Sequence, residues 1–397
     1  MTLAERLQSA LEGAVYPIGL AVSGGSDSLA MLKLVSAHVK APIFCATVNH
    51  GLRTAAVAEC DMVSRLCSDW GIAHDTLHWS FDGRGNLQAA AREGRYASLA
   101  AWARSRGVET VLLGHTQDDV AETFLMRMAR GSGVKGLARM QPAWQARGIN
   151  WRRPLLTMSR HELRDYLRAS GLIWAEDASN KDARFDRVKV RAALADCGLD
   201  TAKIAETSER LAHADEALEV MAIEASRRVA HLQGRNIIVD VEGLFSLPVE
   251  IVHRLLSAWC AWQGRTEYPP RREAIATVIE RILSGKSSTL NGCTIVPHRG
   301  RVIVAREAQC VVAEPEQRGM WDGLTVQGDR PDGATLGALG EEGLRALAEW
   351  RSLGLPRAAL TGSVAVWLGT RLIAAPALGL DDGFVLKFET EPPYLAV

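Results

Sequence analysis

Two short segments carry residue types and spacings suited to phosphoryl chemistry. The first is Ser23-Gly24-Gly25-Ser26-Asp27-Ser28, set between an apolar run and a helical pattern. Its glycines allow positive φ and let backbone N–H groups approach an anion. The helix that follows adds partial positive charge at its N-terminus, and the serine hydroxyls can donate to phosphate oxygens. The loop lacks the lysine of a Walker-type loop. A grip on pyrophosphate without that lysine suits attack at the α-phosphate, with pyrophosphate leaving. The simpler alternative is a strand–turn–helix capped by Ser26 or Asp27. The second segment is Gly114-His115-Thr116-Gln117-Asp118-Asp119-Val120-Ala121-Glu122-Thr123. Asp119 and Glu122 are three apart and share a helical face. With His115 they could hold Mg²⁺, orient an amine or exchange protons. Acids capping a first helical turn are the plainer alternative.

These segments need elements that present them together. Residues 17–22 (PIGLAV), 43–48 (IFCATV), 73–79 and 110–113 (TVLL) read as strands. Between them, helical patterns run over 26–40, 55–70 and 86–106, and another follows over about 118–130. That alternation predicts an α/β fold, a doubly wound and mostly parallel sheet with helices on both faces. Ligands of such sheets bind at the carboxyl ends of the strands, where both segments fall. Residues 131–159 are rich in Gly, Pro and Arg and read as an irregular basic excursion, followed by a short helix over 160–170 and a polar loop over 175–186. A long helix over 203–232, helices over 248–264 and 271–284 and a hairpin over 294–305 follow. Residues 307–320 read as a linker, and residues 321–397 as a small unit with strands at 364–368 and 371–375.

Composition bounds the function. The chain has 397 residues, 47% hydrophobic and 23% charged, which excludes disordered and fibrous classes. No run of about 18 apolar residues is present, so no transmembrane helix and no membrane partner are expected. The N-terminus carries Glu5 and Glu12 and no secretory apolar core, so a cytoplasmic protein is expected. Seven scattered cysteines without a CxxC pair argue against a disulfide framework, a zinc ribbon or an iron–sulfur motif. The net charge is +0, yet residues 127–191 hold 15 Lys/Arg against 6 Asp/Glu. A local anionic partner and a solvated basic surface both fit that asymmetry.

Ser23–Ser28 after an early strand resembles the PP-loop of N-type ATP pyrophosphatases. Residues 114–137, GHTQDDVAETFLMRMARGSGVKGL, resemble a block of the tRNA(Ile)-lysidine synthetase family. So do Val48-Asn49-His50-Gly51-Leu52-Arg53, Trp151-Arg152-Arg153-Pro154-Leu155-Leu156, residues 160–180, and Phe185 to Arg191. Val188 and Lys189 depart from the family's usual Asn and Arg. The blocks keep the family's order over residues 17–191, about half of the chain, while residues 205–397 match loosely.

The resemblance implies a PP-loop catalytic domain over 1–204, a helical connector and middle domain over 205–306 and a small α+β tRNA-binding domain over 307–397. It implies that ATP, Mg²⁺ and L-lysine act on isoleucine tRNA with a CAU anticodon. The wobble cytidine is adenylated and then joined to lysine at C2, with release of AMP and pyrophosphate. Ser23, Gly24, Gly25, Ser26, Asp27 and Ser28 would bind ATP, with Asp27 also a candidate Mg²⁺ ligand. His50, His115, Asp118, Asp119, Glu122 and Arg191 would serve catalysis or lysine binding. Arg130, Lys135, Arg152, Arg153 and Arg187 would contact tRNA. A homodimer is a candidate assembly that the sequence leaves open. Among other PP-loop enzymes, a tRNA thiolase would be expected to show catalytic cysteines. An amidotransferase would need a glutaminase part, for which the 16 residues before the first strand leave no room. A non-catalytic tRNA- or nucleotide-binding protein would not need both acidic and PP-loop segments intact.

Overall fold

In the computed structural model, Ile18–Ala21 (β1), Ile43–Asn49 (β2), Ala73–His78 (β3) and Thr110–Leu113 (β4) lie in one six-stranded sheet. The strand order is β3-β2-β1-β4, followed by Ile149–Arg152 (β6) and Ala143–Ala146 (β5). Ile18 is in register with both Ile43 and Thr110, and every pair is parallel except β5 with β6. The structure describes residues 1–49, 51, 55–81, 87–176, 186–266, 268–311, 320–347, 349–380 and 383–395. The chain divides into two compact units, Met1–Asp215 and Glu216–Val397.

The first unit has an apolar core on each face of its sheet. One face joins Leu20 and Val22 to Leu29, Leu32 and Val35 of Ser26–His38 (α2) and to Leu163 and Leu167 of Arg160–Ala169 (α7). The other joins Ala21 and Val111 to Leu99 and Trp102 of Leu87–Ser105 (α4). Ala55–Asp69 (α3) and Gln117–Met128 (α5) complete the crossovers the sequence pattern predicts. The strand order reverses between β1 and β4. A crevice at such a switch point is the standard ligand site of an open α/β sheet.

Residues 131–159 are more regular than their composition suggests. Val134–Leu137 forms a helical turn (α6), and β5 and β6 extend the sheet past β4. The two strands meet at Arg147 (φ 57°) and Gly148 (φ 73°), the two positive φ values of a tight hairpin turn. Arg-Gly is an uncommon pair there, which hides the hairpin in the sequence. Burial of Trp151 drives the pairing. Its ring is fully buried, stacked on Trp144 at 6.0 Å and edge-on to Tyr96 at 4.9 Å. Burying an apolar side chain of this size contributes about 1.5–3 kcal/mol.

Asp186–Asp196 (α8) packs against α5, and Thr201–Val229 (α9) follows. The strand Ala230–Gln233 (β7) takes over where the long helical pattern was expected to continue to residue 232, because it pairs with Asn236–Asp240 (β8). The second unit builds on the antiparallel order β7-β8-β11-β10-β9, with Ser288–Leu290 (β9) and the expected hairpin of Cys293–His298 (β10) and Arg301–Arg306 (β11). Val249–Gly264 and Arg272–Leu283 cover one face through Leu255, Trp259 and Val278. Ile238 and Ile303 on the other face join Leu344 and Leu360. The strands at Val364–Leu368 and Arg371–Ala374 fall where expected. Asp322 is buried in this unit beside the guanidinium groups of Arg235 and Arg306.

Candidate active site at the switch point

The loop after β1 turns through Gly24 at φ +87°. Gly25 then caps α2 without a side-chain hydrogen bond, so the first N–H groups of a 13-residue helix stay open. Ser28 braces the loop from within. Its hydroxyl accepts from the Ser23 N–H at 3.1 Å and donates to the Gly25 carbonyl at 3.0 Å. The loop after β4 lies against it. A Cβ added to Gly114 would sit 3.1 Å from Ser28 Cα and 3.2 Å from Ser28 N, so any larger residue would force the two loops apart by a few tenths of an ångström. Between the loops lies a cavity of about 690 Å³. Ser23, Gly25, Ser26, Asp27 and Ser28 line one side, and Gly114, His115 and Asp119 line another.

The acidic segment is built to keep its charge. Thr116 caps α5, and its N–H and hydroxyl donate to Asp119 Oδ2 at 2.9 and 3.0 Å. Glu122, one turn later, is 1% exposed. Arg191 on α8 donates to both of its oxygens, from Nε at 2.5 Å and from a terminal nitrogen at 3.2 Å. Arg160, first residue of α7, donates to three carboxylates: Asp27 at 3.0 Å, Glu122 at 3.1 Å and Asp119 at 3.4 Å. Burial pushes the Asp119 carboxyl up, but Arg160, the Thr116 N–H, His115 and Arg187 outweigh it and hold it below the usual carboxylate range. For Arg160 the balance runs the same way. Burial lowers its pKa, the three carboxylates raise it, and the net shift is upward.

His115 is held neutral. Burial lowers its pKa, Asp119 opposes, and Arg153, Arg95 and Arg187 lower it further, to about 3. Arg153 Nε donates to His115 Nδ1 at 3.2 Å, so the single ring proton sits on Nε2. The imidazole is therefore a hydrogen-bond donor at neutral pH rather than a cation.

The other sequence-predicted residues fall in several places. Arg187 lines the cavity four residues before Arg191, on the same helix. Asp118 is not among the lining residues, and its carboxylate accepts from the Arg160 backbone N–H at 2.6 Å. Arg152 donates to the Ala10 and Glu12 carbonyls at 3.0 and 2.7 Å, where it closes the end of Leu3–Ala10 (α1). Arg153 stacks on Trp144 at 4.0 Å and donates to the Gln141 carbonyl. Arg130 is exposed and pairs with Asp186 at 3.0 Å, and Lys135 is exposed on α6. His50 lies outside the described residues, as do Leu52, Arg53 and residues 177–185.

Sequence reasoning missed three arginines of the lining, Arg95, Arg160 and Arg164. Arg95 had a legible signal. It precedes the buried Leu99 by four residues and Trp102 by seven, which puts a cation on the apolar face of α4. No carboxylate among the described residues is paired with it, and burial pushes its pKa down. Arg164 reaches Ser26 Oγ at 3.4 Å and lies 5.9 Å from the Trp174 ring. The cavity thus joins five arginines to four carboxylates and an open helix N-terminus, an arrangement for a polyanion beside the ionised Asp119.

Comparison with known proteins agrees with this geometry. A family model described as a PP-loop domain matches residues 3–197. The chain is 41% identical over 382 residues to a tRNA(Ile)-lysidine synthase of Ruegeria pomeroyi, which covers 94% of this chain and 91% of that protein. A tRNA(Ile)-lysidine synthase of Hyphomonas neptunium is 36% identical over 305 residues, covering 73% and 82%. One of Zymomonas mobilis is 36% identical over 292 residues, covering 72% and 86%. With its open glycine-rich loop and buried acid pair at the same switch point, the chain belongs to the tRNA(Ile)-lysidine synthase family.

Proposed function

We propose that this protein joins L-lysine to C2 of the wobble cytidine of isoleucine tRNA with a CAU anticodon, consuming ATP and releasing AMP and pyrophosphate. One observation carries the reading: an open glycine-rich loop without a Walker lysine shares a cavity of about 690 Å³ with Asp119, whose carboxyl is held below the usual range, and Glu122 is buried one turn further along α5. The C2 carbonyl of cytosine is a poor electrophile because oxide cannot leave. In the first step its oxygen attacks the α-phosphorus of ATP, and the bond to pyrophosphate breaks. In the second the lysine ε-nitrogen bonds to C2, the C2–O bond breaks, AMP leaves with the oxygen and the amine loses a proton.

The open N–H groups of α2 and the hydroxyls of Ser23 and Ser26 would hold the triphosphate and stabilise charge on the leaving pyrophosphate. Asp27 stands at that loop, and one carboxylate with substrate phosphates is a usual donor set for Mg²⁺. Bound there, Mg²⁺ would neutralise phosphate charge. His115, neutral with its proton on Nε2, would donate to an oxygen that gains negative charge. Asp119 and Glu122 would orient the amine and receive its proton. Arg187 and Arg191 would bind the lysine carboxylate or a phosphate. Exposed Arg130 and Lys135 would meet tRNA phosphates, with further contacts from residues 307–397. An anticodon base lies in a loop, so little unstacking is needed to reach the site.

The test is transfer of labelled L-lysine to a transcript of that isoleucine tRNA, with and without ATP. ATP-dependent label at the wobble cytidine is the expected result. Pyrophosphate release with the tRNA but no lysine incorporation would assign another nucleophile and overturn this reading.

A further inference from the structure

Every oxygen of the acid pair already carries a donor. Asp119 Oδ2 accepts from Thr116, and Oδ1 accepts from Arg160. Glu122 Oε2 accepts from Arg191, and Oε1 accepts from both Arg191 and Arg160. Each carboxylate thus has three donors against its roughly four acceptor positions, and the cationic partner that an incoming ammonium group would supply is already present as Arg160. Arg191 holds Glu122 through two parallel bonds, the stronger arrangement. Arg160 instead spreads over three carboxylates with a single bond to each, the longest to Asp119 at 3.4 Å. Its main chain is anchored separately. Arg160 N–H donates to Asp118, and the Ser159–Glu162 capping box fixes the start of α7. The guanidinium can leave on its flexible stem while the helix stays.

We propose that Arg160 is an internal stand-in for the substrate amine, occupying the amine subsite in the free enzyme and yielding it when lysine enters. The inference rests on the lysine-ligase reading above. Without substrate, three clustered carboxylates would repel one another, and a resident cation keeps them convergent. The triphosphate, bound in the same cavity, offers the displaced guanidinium a new partner. The device has a cost. A ligand whose site is open only part of the time binds more weakly by that fraction. Arg160 is thus a positioning residue that sets lysine affinity.

The experiment measures lysine binding by equilibrium dialysis, and lysine KM and kcat in tRNA transfer, for wild type, Arg160→Gln and Arg160→Lys. Arg160→Gln should lower the lysine Kd and KM by roughly fivefold or more, because the internal competitor is gone. Its kcat should fall, because the carboxylates lose their organiser. An ammonium head cannot bridge as a guanidinium does, so Arg160→Lys should give a KM between the other two. If Arg160→Gln does not fold, Arg160→Lys decides alone. A KM at or above wild type in each folded variant overturns the proposal and identifies Arg160 as a purely structural brace. Wild-type enzyme that transfers no lysine overturns the ligase reading, and this inference with it.

Discussion

Lowering the pH from 7 to 5 should destabilise the wild-type chain by about 2 kcal/mol more than it destabilises His115→Asn. His115 takes up its proton at about 3 in the folded protein and at its ordinary 6.5 once unfolded. Below 6.5 the unfolded state therefore binds more protons. The stability that neutral His115 contributes is complete above 6.5 and is lost as pH falls towards 3. Each pH unit in that window is worth about 1.4 kcal/mol, and pH 5 lies about 1.5 units below the ordinary value. The variant keeps the surrounding carboxylates and arginines, so its own pH dependence subtracts theirs. Urea denaturation at both pH values gives the difference, and an NMR titration of the His115 ring gives the pKa directly. Parallel stability curves, or a ring that titrates near 6.5, would refute the neutral-donor assignment.

Three further outcomes follow from the geometry. Glu122→Gln removes the charge that faces Arg160 and Arg191. It should lower lysine transfer about a hundredfold and cost about 2 kcal/mol in urea denaturation, less than a fully buried pair because Arg191 is partly exposed. Gly114→Ala places a methyl 3.1 Å from Ser28 Cα. It should raise the KM for ATP while the circular dichroism spectrum stays that of wild type, and an unchanged KM would show that the two loops do not act together. Asp322→Ala strands Arg235 and Arg306, which are 7% and 5% exposed, without a counter-charge. It should lower stability by about 3–5 kcal/mol, read as a drop in the melting temperature.

The strands around the switch point were legible because their apolar runs are short, bounded by glycines and separated by clear helical periods. The PP-loop and the acid pair were legible for a chemical reason: their residue types are unusual at those spacings. What the sequence concealed depends on distant partners. Arg160 reads as a helix start until the fold sets Asp27, Asp119 and Glu122 around it. Arg152 reads as one more cation in a basic stretch, yet it is spent on backbone carbonyls of α1. The β5–β6 hairpin was hidden because Arg147-Gly148 lacks the residues that usually mark such a turn, while the stacked Trp144 and Trp151 that hold it are seven residues apart. The protonation state of His115 was out of reach for the same reason. It depends on Arg95 of α4, Arg187 of α8 and Arg153 just after β6.

The most direct measurement follows the α-phosphate. Enzyme, isoleucine tRNA with a CAU anticodon and ATP labelled at the α-phosphate are mixed without lysine, and the tRNA is recovered. The cavity described here predicts label bound covalently to the wobble cytidine, released as AMP when lysine is added. Label that never joins the tRNA, with lysine transfer still proceeding, would contradict an adenylated cytidine at this site.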